Sequence, residues 1–347
     1  MSVDAQQVLG HYGLDGAAIE PYGTGLINET YRVTAADGAR FILQAMNPVF
    51  DPAINIDIDV VTRHIDALGA TTPRLVPPVD QGEQLWVNRD GRNWRLSTFV
   101  PGVCHDRLQS PEQARHAGAL LGSFHRMVCP LDIKLHGART VVHDTPRHLA
   151  GLRSALVEHT DHRYFSQAAP LAEQILQAAE QLPQLPDLPE RLMHGDPKIS
   201  NLVFDEQTGA GVCMIDFDTL AHMPLPLEMG DAIRSWCNPK GEDERQAQFR
   251  IDLFTAAIEG YAAEAGSLLD PAEWQAFVPA ASTIMVELAA RFTRDALREV
   301  YFGWNADKFP DRSTHNLVRA EGQLNLHRSF CAQLDAAEVI VDKAFRA

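Results

Sequence analysis

The residues of this chain best suited to chemistry lie between Leu192 and Leu220, in the stretch LMHGDPKISNLVFDEQTGAGVCMIDFDTL. Two apolar runs there end in carboxylates. Arg191–Met193 leads into His194-Gly195-Asp196, and Val212–Ile215 leads into Asp216-Phe217-Asp218. Short apolar runs closed by polar residues read as buried strands, and 207–211 between them reads as a turn. Both carboxylates are therefore expected at strand ends, where a loop can present them to a ligand. Lys198 and Asn201 lie close behind Asp196. Taken singly, each residue has a duller explanation, since a lone buried Asp is usually a cap or an ion-pair partner and a lone His-Gly is usually a turn. The conjunction at this spacing is much harder to reach by chance.

The order matches a kinase catalytic loop, H-x-D-x-K-x-x-N, in which the Asp accepts the proton of the substrate hydroxyl and the Asn holds magnesium. Asp196 is then the base, Lys198 steadies the transferred phosphoryl group, and Asn201 is a metal ligand. Asp216 takes the place of the metal-binding Asp of the DFG triplet, with Asp218 as a further ligand. Here the triplet is Asp-Phe-Asp, so its glycine is missing.

HGDPKISN followed by IDFDTL resembles the aminoglycoside phosphotransferase and choline kinase-like superfamily. More narrowly it resembles the branch of N-acetylhexosamine 1-kinase and related anomeric sugar kinases. Supporting segments are YGTGLINETYRV (22–33), FILQAMNPVF (41–50), MGDAIRSWCNPKGE (229–242) and RFTRDALREVYF (291–302). The resemblance implies an α+β, two-lobed, protein-kinase-like fold. A small antiparallel-sheet lobe over 1–100 would bind the nucleotide, and a mostly helical lobe over 101–347 would carry catalysis and the acceptor. It implies ATP, Mg2+ and a small sugar acceptor. It places Gln44 where kinases carry a phosphate-gripping lysine, Asp231 as a brace of the catalytic loop, and Asn28, Arg291 and Tyr301 on the acceptor. Arg234, Trp236 and Asn238 are expected to line the sugar side.

The elements that must position these groups can be traced along the chain. Residues 3–14 read as a short amphipathic helix closed by Gly13. Gly23-Thr24-Gly25 precedes a hairpin, Thr30–Thr34 and Phe41–Gln44 around Asp37-Gly38, so its backbone could meet phosphates. All five lysines lie at or after Lys134, so the small lobe has none; either another cation compensates, with Lys198 the best-placed candidate, or nucleotide binding is weaker. Residues 53–68 carry a helical apolar stripe without Glu, leaving Asp57 and Asp59 as solvated charges. A second hairpin, Trp86-Val87 with Trp94–Val100, runs either into an ordinary turn or into a hinge at 97–100 whose Thr98 and Phe99 would meet adenine. Ser110-Pro111 caps a helix running to about Met127, in which His125 has a packing role. Two more helices are expected within 141–182. A long helix at 281–301 has one apolar face and a polar one with Glu287, Arg291, Arg294, Arg298 and Tyr301; Arg294 and Arg298 are expected to be solvated.

The net charge of -16 argues against nonspecific nucleic-acid or anionic-membrane binding. The cysteines (Cys104, Cys129, Cys213, Cys237, Cys331) form no metal or redox spacing. No leader-like or spanning apolar run stands out, so a cytoplasmic monomer or homodimer is expected. Two rivals remain. One is a kinase for an amine-bearing alcohol such as an aminoglycoside or choline, for which Asp218 and Glu228 could serve the cation. The other is a nucleotide-binding pseudokinase scaffold, suggested by the missing Lys–Glu pair and opposed by the intact Asp196, Asn201 and Asp216.

Overall fold

Turn signals and alternating apolar residues build an antiparallel sheet in the first hundred residues, and helical periodicity governs most of the rest. A computed structural model describes residues 3–23, 27–79, 82, 84–137 and 142–346. Thr24 and Gly25 lie outside the described residues. The chain divides into two compact units. The first comprises Met1–Pro101, Asp132–Thr140 and Ile215–Ala221, and the second Gly102–Leu131, Val141–Met214 and His222–Ala347.

In the first unit α1 (Val3–Val8) passes into a 3-10 turn (Leu9–Tyr12) closed by left-handed Gly13. Strands β1 (Ala18–Pro21), β2 (Glu29–Thr34) and β3 (Arg40–Ala45) precede helix α2 (Ile54–Ala67). Then come β4 (Leu75–Val76), β5 (Val87–Arg89) and β6 (Arg92–Thr98). The sheet runs β1-β2-β3-β6-β4, with β5 also on β6, and these pairings are antiparallel. Side chains alternate faces along a strand. Tyr31, Val33, Leu43, Ala45, Trp94 and Leu96 pack with Val8, Leu9 and Tyr12 in one core. The register Thr30↔Gln44↔Arg95 then sets three polar residues side by side on the other face.

Helix α2 buries Ile54, Ile58, Val61 and Ile65 of the stripe, whereas Leu68, its last expected position, lies beyond the helix end and is exposed. Asp57 and Asp59 are not solvated as expected. Asp57 is 1% exposed, and its carboxylate accepts from the backbone N–H groups of His136 and Gly137, each at 2.9 Å. Asp59 is paired with Arg63 at 2.8 Å. A periodic reading of α2 could not see the 132–137 segment packing on its polar side.

The second unit begins with β7 (Val103–Cys104) and α3 (Pro111–Val128), whose Ser110 cap accepts from the Gln113 N–H. The chain continues through α4 (Thr145–Glu158), α5 (Phe165–Glu180), β8 (Glu190–Met193), β9 (Leu202–Phe204), β10 (Gly211–Met214) and β11 (Ala221–Pro224). Helices α6 (Leu225–Trp236), α7 (Ile251–Ala265), α8 (Pro271–Gln275), α9 (Phe277–Arg298), α10 (Arg312–Cys331) and α11 (Leu334–Arg346) complete it. Strand order is β10-β9-β7, with β11-β8 separate. The stretch between the two carboxylate-bearing runs is thus more than a turn, because β9 intervenes and β8 pairs with β11. Helix α9 is buried along nearly its whole length and packs Val286, Ala289 and Ala290 against Leu152 and Ile175. Helices α3 and α7 meet backbone to backbone. A Cβ on Gly118 would lie 2.0 Å from the Ala257 carbonyl, and one on Gly260 would lie 2.1 Å from that of Arg115. That approach sets Tyr261 on α7 beside His125 on α3. Among the described residues no helix is long and apolar enough to cross a membrane.

Candidate active site

Strand β8 delivers His194-Gly195-Asp196 as its apolar run ends, and helix α6 holds the loop in place. Glu228, fully buried, accepts from the His194 N–H at 3.1 Å and the Gly195 N–H at 2.6 Å. Its Oε1 also meets His125 Nε2 at 2.9 Å, while His125 Nδ1 meets the Tyr261 hydroxyl at 2.7 Å. Burial alone would raise the Glu228 pKa, but the hydrogen bond and charge of His125 hold it below the usual carboxylate value. Further along α6, Ser235 Oγ accepts from the Ile199 N–H at 3.1 Å, and Trp236 Nε1 donates to the Pro197 carbonyl at 2.9 Å. One helix therefore holds the loop at His194, Gly195, Pro197 and Ile199. His125 was expected mainly to pack, and Glu228 was a candidate for a substrate cation. Both are instead committed to this support.

Held this way, Asp196 is 23% exposed at its side chain and paired with Lys198. Asn201 Nδ2 donates to the Asp196 carbonyl at 2.9 Å and to its carboxylate at 3.2 Å. Burial raises the Asp196 pKa, but the Lys198 ammonium, its hydrogen bond and the Arg234 charge pull it below the usual value. The result is an ionised carboxylate, pinned in direction and available to a hydroxyl proton.

Of the other expected residues in this unit, Asp231 is buried and bonds to Arg234 Nε at 2.7 Å. The side chains of α6 that bond to the loop backbone are those of Glu228, Ser235 and Trp236. Arg234 is 6% exposed and reaches Glu242 at 2.6 Å. Trp236 and Asn238 are buried, and Asn238 closes a turn on the Gly241 carbonyl at 2.8 Å. Arg234, Trp236 and Asn238 are tied into the protein rather than lining an open acceptor surface. Arg291 and Tyr301 do come together, with the guanidinium 5.9 Å from the Tyr301 ring centroid. Asp295 makes that turn, accepting from the N–H groups of Val300, Tyr301 and Phe302 at 2.8–3.0 Å. Arg291 also lies 3.6 Å from buried Glu287, which bonds to His143 at 3.0 Å and Thr145 at 2.6 Å. Arg294 and Arg298 are half-buried rather than solvated. Arg298 pairs with Glu158 at 2.8 Å.

In the first unit, Asp216 stands in the left-handed region at φ 69°, ψ 58°. Few residues other than glycine adopt it, though Asp does so more readily than most. Phe217 and Asp218 after it are buried. Asp218 is held by both arms of Arg95, with Nη2 2.8 Å from Oδ2 and Nη1 on Oδ1. Asn28 Nδ2 donates to Oδ2 at 2.7 Å, and Asn28 Oδ1 accepts from the Asn47 N–H at 2.9 Å. Gln44 is committed too. Its oxygen accepts from Arg95 Nε and Nη2 at 2.9 and 2.8 Å, and its Nε2 donates to Thr30 at 3.2 Å. Gly23 has a left-handed φ of 79°. The N–H groups of Thr98 and Phe99 are taken by the carbonyls of Arg74 and Arg40.

Arg95 is the residue that sequence reasoning missed. It sits between Trp94 and Leu96 in a strand, where alternation marks it for the other face but says nothing of its burial. Its partner Asp218 is distant in sequence, and no spacing announces such a pair.

An oxygen-only donor set suits a hard divalent cation such as Mg2+. In the second unit Asn201 has an oxygen of this kind, since its Nδ2 is engaged on Asp196 and its Oδ1 remains an acceptor; in the first unit, taken by itself, Asp216 has a carboxylate. Asp218 fits poorly, since both of its oxygens serve Arg95 and Asn28. Among the described residues no three His, Cys, Asp or Glu side chains form a metal cluster. A kinase metal completes its shell from phosphate and water.

Residues 18–266 match the APH family model, a phosphotransferase enzyme family. The chain belongs to this family. Solved structures share the fold of this phosphotransferase. A microcompartment-associated aminopropanol kinase superposes with a TM-score of 0.64 at 18% identity, covering 96% of this chain and 98% of that one. An amicoumacin kinase in complex with AMP-PNP, Ca2+ and Ami gives 0.62 at 14%, covering 93% of each chain. An aminoglycoside phosphotransferase from Alicyclobacillus acidocaldarius gives 0.57 at 17%, covering 95% and 96%. As a family member the chain is a small-molecule phosphotransferase acting on a hydroxyl group, and the family implies ATP as donor.

Proposed function

We propose that this phosphotransferase moves the γ-phosphoryl group of ATP to a hydroxyl of a neutral sugar, the anomeric 1-OH of a hexose or N-acetylhexosamine. The observation that carries the transfer chemistry is the Asp196–Lys198–Asn201 constellation on a loop held by α6. Asp196 orients the acceptor hydroxyl and takes its proton. An anomeric hydroxyl is more acidic than an ordinary alcohol, so a carboxylate base is adequate. Lys198 keeps Asp196 ionised and brings positive charge to the transferred group. Asn201 and Asp216 would hold Mg2+, which when bound neutralises charge on the β- and γ-phosphates. The rest of catalysis is positioning.

The neutral acceptor is supported by what the acidic residues are doing. An amine-bearing acceptor wants a carboxylate to meet its cation. Asp218 and Glu228, the two candidates, are engaged by Arg95 and by His125 with the loop backbone. Arg291 and Tyr301, which lie together, have side chains of the kind that suits sugar hydroxyls or an N-acetyl oxygen, and sites built on such bonds reject acceptors that leave them unpaired. The rival is an amino alcohol, the acceptor class in the names of the aminopropanol kinase and of an ethanolamine kinase with the same fold. ADP release measured over a panel of hexoses, N-acetylhexosamines, choline, ethanolamine and kanamycin separates the two. A sugar 1-phosphate, acid-labile and non-reducing, with phosphorus coupled to C1 in NMR, is the expected product. Turnover of amines alone, or coupling to C6, would defeat the anomeric assignment. Arg291→Ala is expected to raise the sugar KM and leave the ATP KM nearly unchanged.

A further inference from the structure

We propose that Arg95 is a positioning residue for the metal-binding loop, acting through Asp218 as this chain's replacement for the lysine–glutamate pair of kinases. The inference rests on the phosphotransfer reading. In kinases the pair joins a strand lysine to a glutamate on the neighbouring helix, and both must be in place for activity. Here β3 has no lysine, Gln44 standing where the resemblance would place it, and α2 carries no Glu. The cation has moved one strand over. The register sets Arg95 of β6 directly beside Gln44, and the Gln44 oxygen takes two of its donors. Asn55 of α2 lies 3.4 Å from Nη1. The other face of the guanidinium fork closes on both oxygens of Asp218. Strand, helix and loop are thus joined through one side chain.

The side chains of Arg95 and Asp218 are 5% and 2% exposed. Arg95 is too enclosed and too fully bonded to reach a phosphate, and Asp218 is too fully bonded to be a good metal ligand. Burying such a pair brings little net stability compared with apolar groups of the same size. A bidentate fork does fix orientation. What it orients is the turn beginning at Asp216, whose left-handed backbone sits two residues away. Asn28 adds a third bond to Asp218 and is itself tied to the Asn47 N–H. Gln44 and Asn28 then serve Arg95 and Asp218 rather than nucleotide and substrate.

The test is direct metal binding, which needs no knowledge of the acceptor. Mn2+ affinity is measured by electron paramagnetic resonance in the presence of AMP-PNP, for wild type, Arg95→Lys, and the charge-free pair Arg95→Met/Asp218→Asn. Loss of a group that orients a metal ligand typically weakens metal affinity about 10–100-fold. That loss is expected in the double variant, with the metal-free affinity for AMP-PNP unchanged. A purely structural role would alter folding and melting but leave the Mn2+ affinity of the folded fraction alone. A folded double variant that binds Mn2+ like wild type overturns the proposal. If the double variant does not fold, Arg95→Lys decides by the same readout, because it keeps the charge and loses the fork. Weakened Mn2+ affinity supports the proposal and unchanged affinity overturns it. A wild-type protein that binds no Mn2+ with AMP-PNP would overturn the phosphotransfer reading, and this inference with it.

Discussion

Replacing Glu228 by Gln removes one charge and changes one oxygen to NH2, and the structure fixes what that costs. Oε1 accepts from the His194 N–H and faces His125 Nε2, while Oε2 accepts from the Gly195 N–H. If the new NH2 takes the Oε2 place, it confronts the Gly195 N–H. If it takes the Oε1 place, His125 Nε2 can give up its proton and accept from it, but the His194 N–H is then confronted. Either orientation leaves one buried backbone donor without an acceptor. Such an orphan costs about 1–3 kcal/mol, and losing the ionised acceptor weakens the remaining bonds further. The total is about 2–4 kcal/mol, which loosens the loop that carries Asp196. The expected result for Glu228→Gln is a lower melting temperature together with a fall in kcat larger than any change in the KM for ATP. Amide exchange at Gly195 should accelerate. Calorimetry, hydrogen exchange and steady-state kinetics read these three quantities. A Glu228→Gln variant with wild-type melting and wild-type kcat would refute the claim that this carboxylate holds the loop.

Two other outcomes are expected from the same structure. Asp216→Asn should abolish Mg2+-dependent nucleotide binding and turnover, because the metal loses its charged ligand; unchanged calorimetric affinity for Mg-ATP would remove Asp216 from that role. Burial pushes the His148 pKa down to about 4, against partial opposition from Glu287, so between about pH 6.5 and 4 the unfolded chain binds more protons than the folded one. Stability should therefore fall as pH drops through that window, and His148→Gln, which can still donate to the Val142 carbonyl, should show a shallower fall in melting temperature; an identical pH slope would contradict it.

How far the sequence can be read depends on the range of the interactions. The Ser110 cap, the two hairpins of the first unit and the amphipathic stripe of α2 are local, and each is legible in a few consecutive residues. Asp196, Lys198 and Asn201 bond to one another within one loop, so their spacing alone brings them together. Arg95 with Asp218, Asp57 with the 136–137 backbone, and Glu228 with His125 are different. Each is a buried polar group whose partner lies far along the chain, and no periodicity marks it. A charge in a strand or on a helix reads as solvated until the distant carboxylate, guanidinium or N–H is found opposite. Strand β9 is hidden for another reason, because three apolar residues are too few to distinguish a strand from a loop. Arg234, Trp236 and Asn238 have side chains that suit a sugar, and only the packing of α6 shows that they face the protein.

The decisive measurement is the kcat of Asp196→Asn with whichever acceptor the panel identifies. The amide keeps a hydrogen bond to the hydroxyl but cannot take its proton. Removing a general base costs about 10²–10⁴-fold, so kcat should fall by that order, with KM and Mg-ATP binding changing far less. A correctly folded Asp196→Asn protein with near wild-type kcat would contradict the assignment of Asp196 as the base.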